Sequence, residues 1–141
     1  MAVEKISIET IVKAPLAVVW QAWNNPDDII QWNAASDDWH TPRASVDLRV
    51  GGSFTSRMEA RDGSMGFDFS GTYLQVVEHA LIEYAMEDGR PVRIEFRESP
   101  DGTRVTESFD AEGTHTLEQQ RDGWQAILNR FARHVESTLA S

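Results

Sequence analysis

Thr116-Leu-Glu-Gln-Gln-Arg-Asp-Gly-Trp-Gln-Ala-Ile-Leu-Asn-Arg-Phe-Ala-Arg-His-Val-Glu136 is the stretch whose reading decides the fold. Continued to the end of the chain, its large apolar residues are Trp124, Ile127, Leu128, Phe131, Val135 and Leu139, at steps of 3, 1, 3, 4 and 4. That spacing draws one stripe along an α-helix. Thr116 and Gln119 stand three apart, as a capping box requires at a helix start. The stripe is too apolar to face water, and the opposite side is too polar to be buried. A long C-terminal helix must therefore lie with one face on something broad, and the chain before it reads as a sheet.

Between Arg43 and Phe109 the pattern is a meander of alternating runs. Val46 and Leu48 belong to a short strand ending at Gly51-Gly52. Phe54, Ser56 and Met58 share one face of the next. Phe67, Phe69, Gly71 and Tyr73 share a face of a third that runs to Val77. Ile82, Tyr84 and Met86, then Val92, Ile94 and Phe96, then Val105, Glu107 and Phe109 complete the series. Asp62-Gly63, Asp88-Gly89 and Asp101-Gly102 fall between these runs and signal hairpins, because glycine takes positive φ at no steric cost. Gly71 and the Gly51-Gly52 pair point to bends in the sheet.

Before the meander, residues 3–12 alternate, with Ile6, Ile8 and Val12 on one parity and Ile11 as the exception. Pro15 suits the first position of a helix, and Leu16, Val19, Trp20 and Trp23 make its stripe. Asn25-Pro26 restarts the chain as a second short helix ending near Trp32. Residues 33–42 read as a loop carrying Trp39 and His40, either tucked against the core edge or forming a flap over a cavity mouth. The class is α+β: a strand, two short helices, about six antiparallel strands and a long helix. With no repeat or linker, residues 1–141 are expected to be one domain.

The 141 residues are 40% hydrophobic and 26% charged, the balance of a soluble globular chain. No apolar run approaches the ~18 residues of a membrane helix, and the N-terminus lacks a signal-peptide core. There is no cysteine, which excludes disulfide and thiolate chemistry and agrees with the cytoplasm. A net charge of -10 argues against nucleic acid or an anionic membrane as partner.

This order of elements resembles the helix-grip fold of the START and birch-pollen-allergen superfamily (SRPBCC). Within it the sequence is similar to the bacterial family related to the activator of the heat-shock-protein-90 ATPase. The residues that carry the likeness are Pro15 with Val19-Trp20, Asp47-Leu-Arg-Val-Gly-Gly52, Gly66-Phe-Asp-Phe-Ser-Gly-Thr-Tyr73 and Gln120-Arg-Asp-Gly-Trp124. The resemblance implies a curved sheet of about six to seven strands wrapped on the C-terminal helix, with a hydrophobic cavity between them. It does not imply one activity. The cochaperone carries a further N-terminal domain for which this chain has no room, and -10 leaves no obvious basic patch for an acidic partner.

His40, His79, His115 and His134 are not spaced as metal ligands, and no cysteine joins them, so neither metal nor cofactor is expected. Glu107 is the residue of interest. It shares parity with Val105 and Phe109, and a carboxylate on an inward face is costly unless paired or wet. It could lie at a strand end near solvent, pair with an arginine or tyrosine, or anchor a ligand in a pocket. Polyketide cyclases of the superfamily use such polar groups in apolar cavities, where burial raises a carboxyl pKa. Asp38, His40 and Asp68 are weaker candidates, and Arg49 is expected to pair with Asp47. Gly123, inside the helix, suggests close approach of a neighbouring element or room for Trp124.

The first expectation is a protein, monomeric or homodimeric, that binds a small apolar or aromatic molecule or lipid. Trp39, Phe54, Met58, Phe67, Phe69, Tyr84, Phe96, Glu107, Trp124 and Leu128 would form its site. The alternatives are a cyclase- or hydrolase-like enzyme with Glu107 as acid/base, and a partner-binding module akin to the ATPase activator.

Overall fold

A computed structural model describes residues 4–140. Residue 3, the expected start of the first strand, lies outside them, and so does the side chain of Leu139. In chain order the elements are β1 (Lys5–Val12), α1 (Leu16–Asn24), α2 (Pro26–Trp32), β2 (Trp39–Val46), β3 (Ser53–Ala60), β4 (Gly66–Val77), β5 (Leu81–Met86), β6 (Pro91–Ser99), β7 (Gly102–Asp110) and α3 (Leu117–Ala140). The strands make one antiparallel sheet in the order β1-β7-β6-β5-β4-β3-β2. β1 and β2 are consecutive strands yet form opposite edges, and α1 and α2 span the gap between them. The α+β class and the curled sheet around α3 are as expected.

Local chemistry accounts for the ends of the elements. The Thr116 N–H donates to Gln119 Oε1 at 3.0 Å and the Gln119 N–H donates to Thr116 Oγ1 at 3.0 Å, so the capping box is reciprocal. Asn25 caps α2 by accepting from the Asp27 N–H at 3.0 Å, with Pro26 first in the helix. Pro15 sits one place earlier than expected: its extended ψ of 149° makes it the N-cap of α1. Gly63, Gly89 and Gly102 take φ of 79°, 88° and 140° at the three hairpin turns.

Two boundaries move. Trp39 and His40 belong to β2 rather than to a loop, and β2 stops at Val46, leaving Leu48 in the turn. There Arg49 Nε donates to both Asp47 carboxylate oxygens, at 3.0 and 2.9 Å, an exposed pair worth little to stability. The irregularity in β4 lies between Tyr73 and Gln75 rather than at Gly71. Gly71 has another reason: a Cβ there would stand 2.7 Å from the ring of Phe54 and 2.7 Å from that of Tyr84. Its missing side chain lets those rings meet edge-on at 4.7 Å.

The core lies between the inner face of the sheet and the helices. Ile6, Ile8 and Val12 of β1, Val92 and Ile94 of β6, and Val105 and Phe109 of β7 are buried against Leu128, Phe131, Ala132 and Val135 of α3 and Val19 and Trp20 of α1. No neighbour crowds Gly123, where an added Cβ would meet open space, so the expected close approach is absent.

Phe131 is fully buried and packs edge-on to Trp23 and Trp32 at 4.9 Å each. Urea unfolding of Phe131→Ala should show a loss of roughly 3–5 kcal/mol; under about 1 kcal/mol would mean that α3 is peripheral. Gly123→Ala should instead gain up to about 1 kcal/mol, since the helix recovers propensity without a clash.

Candidate functional site

The inward stripe of α3 has two halves. Leu128, Phe131 and Val135 are buried at 1%, 0% and 0% exposure. Trp124 and Ile127, two turns and one turn nearer the helix start than Phe131, are only half-buried, because they face a cavity of about 260 Å³. Val46 of β2, Phe54 and Met58 of β3, Phe67, Phe69 and Tyr73 of β4, Ile82 and Tyr84 of β5 and Glu107 of β7 line it from the sheet. Trp23 and Asn24 of α1, Ile29 and Trp32 of α2, and Asn33 complete the wall.

Seven of the ten sequence-selected residues thus surround one space: Phe54, Met58, Phe67, Phe69, Tyr84, Glu107 and Trp124. Trp39, Phe96 and Leu128 do not line it. Trp39 opens β2 and lies edge-on to Phe67 at 5.9 Å, while Phe67 is itself 47% exposed, so the pair marks the rim. Phe96 has the right parity, but α1 covers it with Trp20 at 5.1 Å and Trp23 at 5.9 Å. Leu128 falls on the closed half of the stripe. Asp38, His40 and Asp68 are also outside, and His40 faces Glu59 at 3.8 Å.

Trp23, Trp32, Tyr73 and Ile82 were not expected there. The parity that selects Phe69 also selects Tyr73, and Trp23 ends the α1 stripe, so signals for both were present. Nothing local marks Trp32, whose indole N–H donates to the Ala22 carbonyl at 3.1 Å and turns its ring into the wall.

The rings form a connected lining. Phe54 meets Phe69, Tyr73 and Tyr84 at 5.8, 5.6 and 4.7 Å. Trp124 lies edge-on to Phe69 at 6.2 Å and stacks on Phe109 at 4.0 Å with 17° between planes. Phe109 is two residues from Glu107 on the same face of β7, which brings the indole over that part of the strand.

Glu107 is 5% exposed. Its ladder neighbours are Ile8 on β1 and Ile94 on β6, both buried, so no partner reaches it along the sheet. Among the described residues it has neither a hydrogen bond nor an ion pair. Burial alone pushes its carboxyl up to about 8, since the ionised form loses its hydration without return. Burial also holds the Tyr84 phenol well above its ordinary range, with the Glu107 charge and then Tyr73 adding to the rise. Burial, followed by the charge of Asp47, raises Tyr73. Near neutrality the cavity therefore presents a protonated carboxyl and two neutral phenols. Among the described residues no Lys, Arg or His lines it.

This shift ties stability to pH. Below the ordinary value of 4.5 both folded and unfolded chains hold the Glu107 proton. Between 4.5 and about 8 the unfolded chain releases it while the folded chain keeps it, so stability falls as pH rises through that window. At about 1.4 kcal/mol per unit, the whole fall is a few kcal/mol. Urea unfolding across the window should show this decline in the wild type, and Glu107→Gln should remove most of it. Coincident profiles for the two proteins would mean that the carboxylate is hydrated or paired.

The family model described as activator of Hsp90 ATPase homolog 1-like protein matches residues 13–136. The solution structure of an AHSA1-like protein from Aeromonas hydrophila is 50% identical, with a TM-score of 0.91, over 98% of this chain and 96% of that one. A solution structure from Cytophaga hutchinsonii is also 50% identical, with a TM-score of 0.82, over 96% and 94%. A crystal structure from Nitrosomonas europaea, at 20% identity and a TM-score of 0.83 over 97% of each chain, shares the fold. No curated protein matches. With this extent of match and the helix-grip architecture above, the chain belongs to the Hsp90 ATPase activator homolog 1-like family of the START and birch-pollen-allergen superfamily.

Proposed function

We propose that the protein is a cytoplasmic binding protein for a small, mainly apolar aromatic molecule, held between the sheet and α3 with Glu107 orienting its polar group. The observation that carries this reading is the cavity itself: about 260 Å³, walled by rings and aliphatic side chains, with few polar groups. A dry apolar cavity of roughly 150 Å³ takes up benzene, so this one suits a two-ring molecule or a ring with a short chain.

An acid/base enzyme is the second reading, favoured by a carboxyl that exchanges its proton at about 8. Binding is the stronger of the two. Apart from Glu107, Tyr73 and Tyr84, the described lining is rings, aliphatic side chains and two amides, a wall suited to holding a ligand.

Trp23, Trp32 and Trp124 are built-in reporters on the wall. Titration with naphthalene should quench their fluorescence saturably and shift the backbone amides of Phe69, Tyr84 and Trp124 in NMR spectra. Ile127→Phe, which fills part of the space, should weaken that binding about tenfold or more while far-ultraviolet dichroism stays unchanged. Shifts confined to exposed residues, or unaltered affinity in the filled variant, would overturn the reading.

A further inference from the structure

We infer that the preferred ligand is an aromatic primary amine, bound as its ammonium form with the cation against Glu107 and its rings among Phe54, Phe69, Tyr84 and Trp124. This rests on the binding function proposed above and gives it a chemical class.

Three observations lead there. First, Glu107 is 5% exposed and lines the cavity with no hydrogen-bond or ion-pair partner among the described residues. An unpartnered buried carboxyl is a vacancy for a donor, and a charged donor makes the shorter and stronger bond. Second, no basic side chain among the described residues lines the cavity. An anionic ligand would face the Glu107 carboxyl and two phenols with no counter-charge, while a cation meets no repulsion. Third, aromatic rings make up much of the wall, Phe54, Phe69, Tyr84 and Trp124 among them. Aromatic quadrupoles attract cations within about 6 Å of the ring centre, most strongly when water is excluded.

The charge of the whole molecule acts in the same sense. A net charge of -10 draws cations towards the protein and repels anions before contact. The groups facing Glu107 across the cavity are Tyr84 of β5 and Tyr73 of β4. The helices add Asn24 and indoles, Asn33 follows α2, and no other described residue of the lining titrates. Near neutrality the free protein holds the Glu107 proton, so docking an ammonium against the carboxylate releases it to solvent. A neutral ligand accepts a hydrogen bond from the protonated carboxyl and releases nothing.

The test uses three probes of matched shape: 1-naphthylmethylamine, 1-methylnaphthalene and 1-naphthoate. Calorimetry near neutral pH, in two buffers of different ionisation enthalpy, reads affinity and proton release together. The amine should bind at least about tenfold more tightly than the neutral probe and release about one proton, with no detectable binding of the naphthoate. Glu107→Gln should bring the amine down to the affinity of the neutral probe, abolish the proton release and leave 1-methylnaphthalene unchanged. Equal affinities for amine and neutral probe, or tighter binding of the anion, would overturn the amine assignment and leave the binding function standing. Failure of all three probes to bind would remove both. Because proton release is read in the wild type, the assignment remains testable even if the variant does not fold.

Discussion

One helix has to cover a seven-stranded sheet, and it is too narrow to do so. Strands about 4.8 Å apart make a sheet roughly 30 Å wide, while a helix with its side chains is about 10–12 Å across. In this protein α3 packs on β1, α1 on β6 and β7, and α2 on β2. The inner faces of β3, β4 and β5 fall between these supports. Their residues (Phe54, Phe69, Tyr73, Tyr84) turn inward and pack mainly on one another. The cavity is the geometric remainder of this mismatch. It sits at the start of α3 because the end of the helix is sealed by Phe131 against Trp23 and Trp32.

Much of this was legible in the sequence, for reasons tied to particular residues. Periodicity located the elements because burial on one face leaves a period of 3.6 or 2. The α3 stripe, the capping box at Thr116 and the three Asp-Gly turns needed only local chemistry. What failed was non-local. Trp39 reads as loop beside Ser36, Asp37 and Asp38, yet it enters β2 because Ala60 pairs with it from the next strand. Phe96 has a cavity-facing parity, but whether α1 covers it depends on a helix some seventy residues earlier in the chain. Gly71 reads as a bend, and only the positions of Phe54 and Tyr84 on neighbouring strands reveal it as clearance for two rings.

Glu107 shows the same limit more sharply. Strand parity sends it inward, but an inward carboxylate can be solvated at a strand end, paired, or left in a cavity. The choice among these is made by Ile8, Ile94 and the stand-off of α3, none of which is near it in sequence. Without a partner its burial works against the fold once the pH is high enough to ionise the unfolded chain. A buried polar group of this kind is retained at the expense of stability, the usual signature of a site rather than of a scaffold.

The rest of the sheet shows that the placement of Glu107 is not an accident of register. On the outer face two charge pairs cross between strands: Arg93 of β6 bonds Glu83 of β5, and Arg57 of β3 approaches Asp68 of β4; the pairs Arg93–Glu95, Arg97–Glu95 and Arg57–Glu59 lie within one strand. Each such exposed pair contributes little energy, but the two that cross strands would be broken by a slip of the strands that carry them. A shift of one residue turns a whole strand over. In β7 it would carry Arg104 and Thr106 into the core and expose Val105 and Phe109, both at 0% exposure. Position 107 must therefore face inward whatever residue stands there. Val or Ile at that position would satisfy the fold at lower cost, because the neighbours on either side are isoleucines. The backbone dictates the direction of the side chain, and the fold gives no reason for its acid. Under the binding function proposed above, that reason is the polar group of the ligand.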